Sequence, residues 1–182
     1  VDNFILSNTQ FYLLVLATVF ITASGYIIND IYDVETDKSN KEKSRIIGKS
    51  ITSRNAITWF ILFNLLGVGL GFYIAYIVKR PYYSLIFIYC IFSLWTYSKS
   101  MKTSFLFGNL QVSLLTALSI FNVALFDIIP NGINKNNGEM MIFKIIIFYA
   151  AFAFIITFIR EIIKDLEDME GDKKIQARTL AI

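Results

Sequence analysis

The chain has 182 residues, of which 55% are hydrophobic, 16% aromatic and only 17% charged. Soluble domains carry about 25% charged residues, so this composition is atypical of a water-soluble globule. The absence of histidine excludes imidazole bases and imidazole zinc ligands, and a single cysteine, Cys90, excludes a disulfide framework.

Five segments almost free of charge follow one another along the chain. They are residues 3–29, 55–78, 81–98, 103–126 and 140–159. Each has about 18 to 27 residues, and about 20 apolar residues in a helix cross the hydrocarbon core of a bilayer. We therefore predict an all-α fold, a polytopic bundle of five transmembrane helices.

The charged residues between these segments indicate how the bundle is oriented. Thirteen of the 17 Lys and Arg residues follow the first, third and fifth segments, and so do eleven of the 14 Asp and Glu residues. Basic loops stay in the cytoplasm by the positive-inside rule. We expect an integral protein of the cell (inner) membrane whose charged face is cytoplasmic.

Two acidic clusters, one after the first segment and one after the fifth, repeat the same spacing. Aspartates occur at i, i+3 and i+7 in both: Asp30, Asp33 and Asp37, then Asp165, Asp168 and Asp172. At about 100° per residue each trio forms one stripe on a helix. Like charges at this spacing repel, and the C-terminal end of a helix disfavours anions. Local rules broken twice in this way are typical of a functional site.

Stripes of carboxylate oxygens suit Mg²⁺, which proteins usually hold with one or two carboxylates and substrate phosphates. Two stripes on one membrane face could clamp a diphosphate through bridging metal ions as a C–O bond ionises. The alternatives are solvated helix ends, a cation transporter with acidic pore residues, and a non-catalytic membrane scaffold. Transporters usually place such carboxylates near the midplane of the membrane, and a scaffold gives no reason for two matched stripes.

Basic side chains accompany both stripes. Arg45 follows the first stripe, and its planar fork suits phosphate oxygens. Lys99 and Lys102, between the third and fourth segments, could bind a diphosphate or an acceptor phosphate, or could serve membrane topology alone. Lys164 abuts the second stripe, where it could bind phosphate or pair with a neighbouring carboxylate.

Charged and polar residues also occur at the ends of the apolar segments. Arg160 and Glu161 end the fifth segment, where unpaired charge is costly, so we expect both to face the cleft. Gly108 and Asn109 near the start of the fourth segment are a candidate polar feature of the cavity. Close helix packing would explain the glycine equally well.

The two motifs together resemble those of the UbiA superfamily of intramembrane prenyltransferases. In that family an N-D-x-x-D-x-x-x-D motif and a D-x-x-D-x-x-x-D motif bind Mg²⁺ and a prenyl diphosphate. The first motif matches Asn29, Asp30, Asp33 and Asp37, and the second matches Asp165, Asp168 and Asp172. The resemblance implies that these six aspartates bind Mg²⁺ and that Asp30, Asp33, Asp165 and Asp168 are catalytic. The expected substrate-binding residues are Asn29, Asn40, Arg45, Lys99, Lys102, Arg160 and Lys164.

Within this superfamily, residues 160–172 are similar to digeranylgeranylglyceryl phosphate synthases, which transfer a geranylgeranyl group to the hydroxyl of geranylgeranylglyceryl phosphate. Enzymes that prenylate aromatic acceptors for quinones or haem share the aspartates, so an aromatic acceptor is the alternative. The expected partners are a prenyl diphosphate, a lipid or aromatic acceptor and membrane lipids, with no nucleic acid. Because family members have about nine helices, the resemblance implies that residues 1–182 are a single incomplete domain, lacking one N-terminal helix and several C-terminal helices.

Overall fold

A computed structural model of the protein describes residues 4–40, 46–132 and 138–167. All the regular secondary-structure elements in these ranges are α-helices or short 3₁₀ helices. The five α-helices are α1 (Asn8–Asn40), α2 (Ser53–Ile77), α3 (Leu85–Lys99), α4 (Phe107–Asp127) and α5 (Glu139–Glu167). The predicted all-α class is therefore confirmed. Helices α1, α2, α4 and α5 are each long and apolar enough to cross a membrane.

The third segment is not a single transmembrane α-helix, as it was predicted to be. Pro81 begins a 3₁₀ turn that continues to Ser84, and α3 then has only 15 residues. Fifteen residues rise about 22 Å, which is less than the hydrocarbon core of about 30 Å, and the turn adds about 8 Å. Proline supports such a turn because its fixed φ suits a helix start and its missing N–H needs no partner there. Four of the five predicted transmembrane helices are thus long enough to span a membrane as single α-helices, and the third reaches a comparable length only together with its 3₁₀ turn.

The other helices follow the apolar segments but differ at their ends. Helices α1 and α5 continue past the apolar residues, so Asp30 and Asp33 lie on α1 and Asp165 lies on α5. Helix α4 begins four residues later than predicted, because Met101–Thr103 forms a 3₁₀ turn and Leu106 has a φ of 56°. The first acidic cluster and the start of the second therefore keep the helical spacing on which the predicted stripes depend.

The bundle is packed tightly at one end. Helix α1 lies between α2 and α3, and α4 lies between α3 and α5. The buried core is formed by the N-terminal half of α1, the end of α2, the start of α3 and the end of α4, and it includes Leu14, Ile21, Ile74, Phe87 and Phe126. A Cβ at Gly71 would lie 2.3 Å from the Phe87 ring, so only glycine lets α2 approach α3 this closely. We call this the core end of the bundle.

Polar contacts close the core end. The Asp127 carboxylate, at the end of α4, accepts hydrogen bonds from the backbone N–H groups of Ile5 and Leu6 at 2.9 and 2.8 Å. Ser7 and Gln10 cap the start of α1 reciprocally, each side chain accepting from the other residue's backbone N–H. These contacts fix the start of α1 against α4. The opposite end of the bundle, which carries Asp30, Asp33 and Asp165, holds the site.

Candidate active site

A cavity of about 410 Å³ lies between α1, α3, α4 and α5. Its wall residues on α1 run from Thr18 to Asn29, and those on α4 run from Val112 to Asn122, in steps of three or four residues that keep to one face of each helix. Ten residues of helix rise about 15 Å, so the cavity extends through roughly half a bilayer core. We call its two ends the acidic end, next to Asn29, and the far end, next to Asn122.

At the acidic end, Asp33 of the first motif is held on both oxygens. Asn29, one turn earlier on α1, donates a hydrogen bond from Nδ2 to Asp33 Oδ2 at 2.8 Å. Lys102, from the 3₁₀ turn after α3, forms an ion pair with Asp33 Oδ1. Both charged side chains retain about a quarter of their exposure (24% and 22%), so they remain accessible to a ligand.

The second motif is held by a different helix. Asn109, buried in the first turn of α4, donates a hydrogen bond from Nδ2 to Asp165 Oδ2 at 2.8 Å. A hydrogen bond to a charged acceptor is stronger than one between neutral groups, and a buried amide donor fixes the rotamer of the carboxylate. Asp165 is thereby held at the start of the second acidic stripe.

One short segment organises both motifs. A Cβ at Gly108 would lie 2.5 Å from the Met101 carbonyl oxygen and 3.1 Å from the Lys102 Cα. Glycine therefore allows the Met101–Thr103 turn to lie directly against the start of α4. Because of this contact, Lys102 reaches the first motif while Asn109, the next residue after Gly108, reaches the second. Of the two sequence interpretations of Gly108, close packing is the one that the structure supports.

Further polar side chains line the acidic end. Tyr97 of α3 interacts electrostatically with the carboxylates of Asp33, Glu161 and Asp165, so it lies where the two motifs converge. Arg160 and Lys164 of α5 line the same cavity, as does Glu161, which accepts a hydrogen bond from Arg160 at 3.0 Å. Arg160 and Glu161 thus both face the cleft, as predicted.

Lys99 has a different environment from Lys102. Its ammonium lies over the Trp95 ring, 4.8 Å from the ring centroid, and Trp95 donates a hydrogen bond to the Tyr32 hydroxyl at 3.1 Å. This arrangement is a cation–π contact on the outer surface of α1 and α3. The structure thus brings only Lys102, of the two loop lysines, to a described motif carboxylate.

The middle of the cavity wall carries several hydroxyl groups, but these groups are already hydrogen-bonded within their own helices. Its hydroxyls bond to carbonyl oxygens of their own helices, three or four residues earlier: Thr18, Thr22, Thr116 and Ser119. Such internally satisfied hydroxyls offer little hydrogen-bonding capacity to a ligand. Asn122 differs, because its Oδ1 is buried at the far end without a hydrogen-bond partner among the described residues. Hydrocarbon can therefore contact most of this wall without breaking hydrogen bonds.

The remaining predicted residues have these positions. Asp30 is exposed on α1, three residues before Asp33. Asp37 and Asn40 belong to the last turns of α1, but their side chains lie outside the described part of the chain, as do Arg45, Asp168 and Asp172 entirely. Neither the site position of Tyr97 nor the pairing of Asn109 with Asp165 was predicted from the sequence. The signal available in the sequence was the position of Tyr97 and Asn109, which are polar residues near the ends of otherwise apolar segments.

The donor set at the acidic end fits a hard divalent cation in its chemistry. The described motif side chains offer carboxylate oxygens, from Asp30, Asp33 and Asp165, which are the ligands that Mg²⁺ prefers. In the described ranges, no three Asp, Glu, Cys or His side chains gather closely enough to form a complete metal site. A complete site would therefore need the other carboxylates of the stripes or substrate phosphate oxygens.

These features define a class of protein: an α-helical membrane protein with a hydrocarbon-compatible cavity whose entrance carries carboxylates, amides and amines. Residues 3–182 match the UbiA prenyltransferase family, and the chain belongs to this family. The family assignment made from the two acidic motifs is confirmed. Together with the four candidate spans, it identifies the chain as an integral membrane protein.

Two relatives and one solved structure that resemble the chain share one function name. The digeranylgeranylglyceryl phosphate synthase of Saccharolobus solfataricus is 35% identical over 166 residues, which is 91% of this chain and 54% of the relative. That of Methanosphaera stadtmanae is also 35% identical, over 98% of this chain and 60% of the relative. A solved structure of a digeranylgeranylglyceryl phosphate synthase superposes with a TM-score of 0.71 at 28% identity, covering 98% of this chain and 58% of that one. The chain thus spans little more than half the length of these relatives.

Proposed function

We propose that the protein is a Mg²⁺-dependent intramembrane prenyltransferase that moves a prenyl group from its diphosphate to a lipid acceptor. The proposed prenyl group is geranylgeranyl. The acceptor chemistry is that of geranylgeranylglyceryl phosphate, the substrate type implied by the names of the similar proteins. The observation that carries the proposal is the polarity gradient of one cavity. Charged and amide groups line its acidic end, while internally satisfied hydroxyls and apolar side chains line the remainder.

An amphiphilic diphosphate matches this gradient. Its head would lie at the acidic end, and its hydrocarbon chain would lie along the faces of α1 and α4 towards the core end. Lys102 supplies a positive charge beside Asp33, and Arg160 and Lys164 supply two more along α5. These cations would stabilise the negative charge that develops on the departing diphosphate.

Mg²⁺ would be held by Asp30 and Asp33 from the first motif and Asp165 from the second, together with Asp37, Asp168 and Asp172. When bound, the metal would neutralise diphosphate oxygens and so favour cleavage of the C–O bond. Asn29 and Asn109 orient Asp33 and Asp165 by donating to their oxygens, which fixes the carboxylates before a ligand arrives. The acidic end faces the cytoplasm in this proposal, because thirteen of the 17 basic residues follow the first, third and fifth apolar segments in the sequence, as the positive-inside rule expects of cytoplasmic loops.

A prenyl-transfer assay on the full-length membrane protein tests the proposal. Asp33→Asn and Asp165→Asn should each lower kcat/KM by about 100-fold or more, because each removes a carboxylate that would hold Mg²⁺ at the leaving group. Glu139→Gln, at the opposite end of α5, is the matched control and should retain wild-type turnover. Turnover that both motif variants retain, or that persists without divalent cations, would contradict the proposal.

The acceptor is tested separately with a panel of prenylglyceryl phosphates and aromatic acids. Transfer to the hydroxyl of a prenylglyceryl phosphate is the expected result. Exclusive use of an aromatic acid would contradict the lipid acceptor while leaving the prenyltransferase activity in place.

A further inference from the structure

Glu161 is a buried carboxylate that belongs to neither aspartate stripe. It is 6% exposed, and the other acidic side chain buried in the described part of the chain, Asp127, lies at the core end and is engaged by two backbone N–H groups. Glu161 precedes Asp165 by four residues on α5, so both side chains share one face of the helix. One helical turn separates them by about 6 Å along the axis, with Glu161 on the side of the hydrocarbon-compatible wall.

The surroundings of Glu161 leave one of its oxygens available. Its Oε1 accepts a hydrogen bond from Arg160, whereas Oε2 has no hydrogen-bond partner among the described residues. The Arg160 side chain is 72% exposed, so the ion pair is screened by solvent and does not by itself account for burial of the carboxylate. The other titratable groups nearby are Lys164 of α5 and Tyr97 of α3, which line the same cavity, and Asp165 and Asp33, whose charges act on Tyr97 as that of Glu161 does.

This depth is where an acceptor hydroxyl would meet the prenyl group. A diphosphate held at the level of Asp33 and Asp165 would place its first prenyl carbon just inside the cavity, towards the hydrocarbon-compatible wall. The acceptor oxygen must approach that carbon, and it must lose its proton as the new ether bond forms. A carboxylate on the cavity wall at this depth is suited to receive that proton.

We propose that Glu161 is the general base of the transfer, an inference that rests on the proposed function. The acceptor oxygen forms a C–O bond to the first prenyl carbon, and the bond from that carbon to the diphosphate breaks. The diphosphate leaves with the electron pair of the broken bond, and the hydroxyl proton passes to Glu161 Oε2. Arg160 is a positioning residue that holds Oε1 so that Oε2 points into the cavity.

The test measures prenyl transfer and diphosphate release separately in the full-length protein. Glu161→Gln keeps the size of the side chain and removes the base, so the kcat for transfer should fall by about 100-fold. The KM for the prenyl diphosphate should stay within about twofold, because ionisation of the diphosphate does not require the base. Water can then capture the ionised prenyl group in place of the acceptor and give the prenyl alcohol, so diphosphate released per prenyl group transferred should rise at least tenfold. Glu161→Asp should restore part of the transfer rate, and Glu139→Gln should behave as wild type.

The outcomes separate this inference from the proposed function. Absence of transfer by the wild-type protein would refute the proposed function, and this inference with it. Wild-type transfer together with a Gln variant that transfers within threefold of wild type would refute the base alone. An equal loss of transfer and diphosphate release would also refute it, because that pattern indicates a structural role. If the Gln variant does not fold, the Asp variant is measured in its place. A ratio of diphosphate release to transfer above that of the wild type then supports the base, and an unchanged ratio refutes it.

Discussion

The two ends of the cavity differ in how their polar groups are satisfied. At the acidic end, two polar contacts join different elements: Lys102, in the turn after α3, reaches Asp33 of α1, and Asn109 of α4 reaches Asp165 of α5. Along the rest of the wall, hydroxyls such as that of Thr116 bond to carbonyls of their own helix. Pairing between elements makes one end dependent on tertiary structure, whereas self-pairing makes the other end chemically inert. In the proposed function, this difference separates a reactive head-group site from a passive hydrocarbon site.

The largest effect within this comparison is expected at the ion pair of the acidic end. Lys102→Met should lower kcat/KM by about 100-fold, because it removes a cation beside the diphosphate position and leaves Asp33 without its charged partner. Lys99→Met is the matched control, since Lys99 lies over Trp95 instead, and should cost less than about threefold. Equal losses in both variants, measured by steady-state transfer kinetics, would show that the two lysines act only through general surface charge.

A smaller effect is expected from the backbone contact that brings the two motifs together. Gly108→Ala places a Cβ against the Met101 carbonyl, which must move and carry Lys102 with it. Misplacement of this kind should lower kcat/KM by about 10- to 30-fold. Gly69→Ala, where a Cβ meets nothing within 4 Å, should leave activity unchanged and raise helix stability by about 0.5 to 1 kcal/mol. Wild-type kinetics in the Gly108 variant would mean that the turn does not position Lys102.

The hydrogen bond between α4 and α5 should matter less than the ion pair. Asn109→Leu removes the donor to Asp165 and should lower kcat/KM by about tenfold, with most of the effect in the concentration of Mg²⁺ required for half-maximal activity. A Mg²⁺ titration of the transfer rate measures this shift. A variant with an unchanged Mg²⁺ requirement would indicate that Asp165 does not need Asn109 for its orientation.

The smallest kinetic effect is expected at the far end. Asn122→Leu removes a buried amide oxygen that lacks a partner among the described residues, so thermal unfolding in detergent should show a gain of about 1 kcal/mol. Transfer kinetics should change by less than about threefold, and any change should depend on prenyl chain length rather than on Mg²⁺. A loss above tenfold for every chain length would place Asn122 in the reactive site and remove the distinction between the two ends.

The sequence alone predicted much of this fold. Long charge-free runs have few solutions other than membrane-spanning helices, because the backbone must satisfy its own hydrogen bonds in hydrocarbon. The third segment is the exception, because its first four residues, Pro81–Ser84, form a 3₁₀ turn and not part of the α-helix. Apolar composition predicts that a segment lies in the membrane, but it does not show where the α-helix within that segment begins. The aspartate spacing likewise predicted carboxylates on one helical face, since that spacing is a local property of the α-helix.

Contacts between elements were decided only by the tertiary structure. The sequence treated Lys99 and Lys102 as equivalent, and it gave two explanations for Gly108. The structure separates the lysines because the turn at Met101–Thr103 packs against Gly108 and directs only one of them to Asp33. It also buries Glu161 at the cavity wall, one turn from Asp165. Helical periodicity determines which side chains share a face, whereas the packing of helices far apart in the chain determines which of those faces meet.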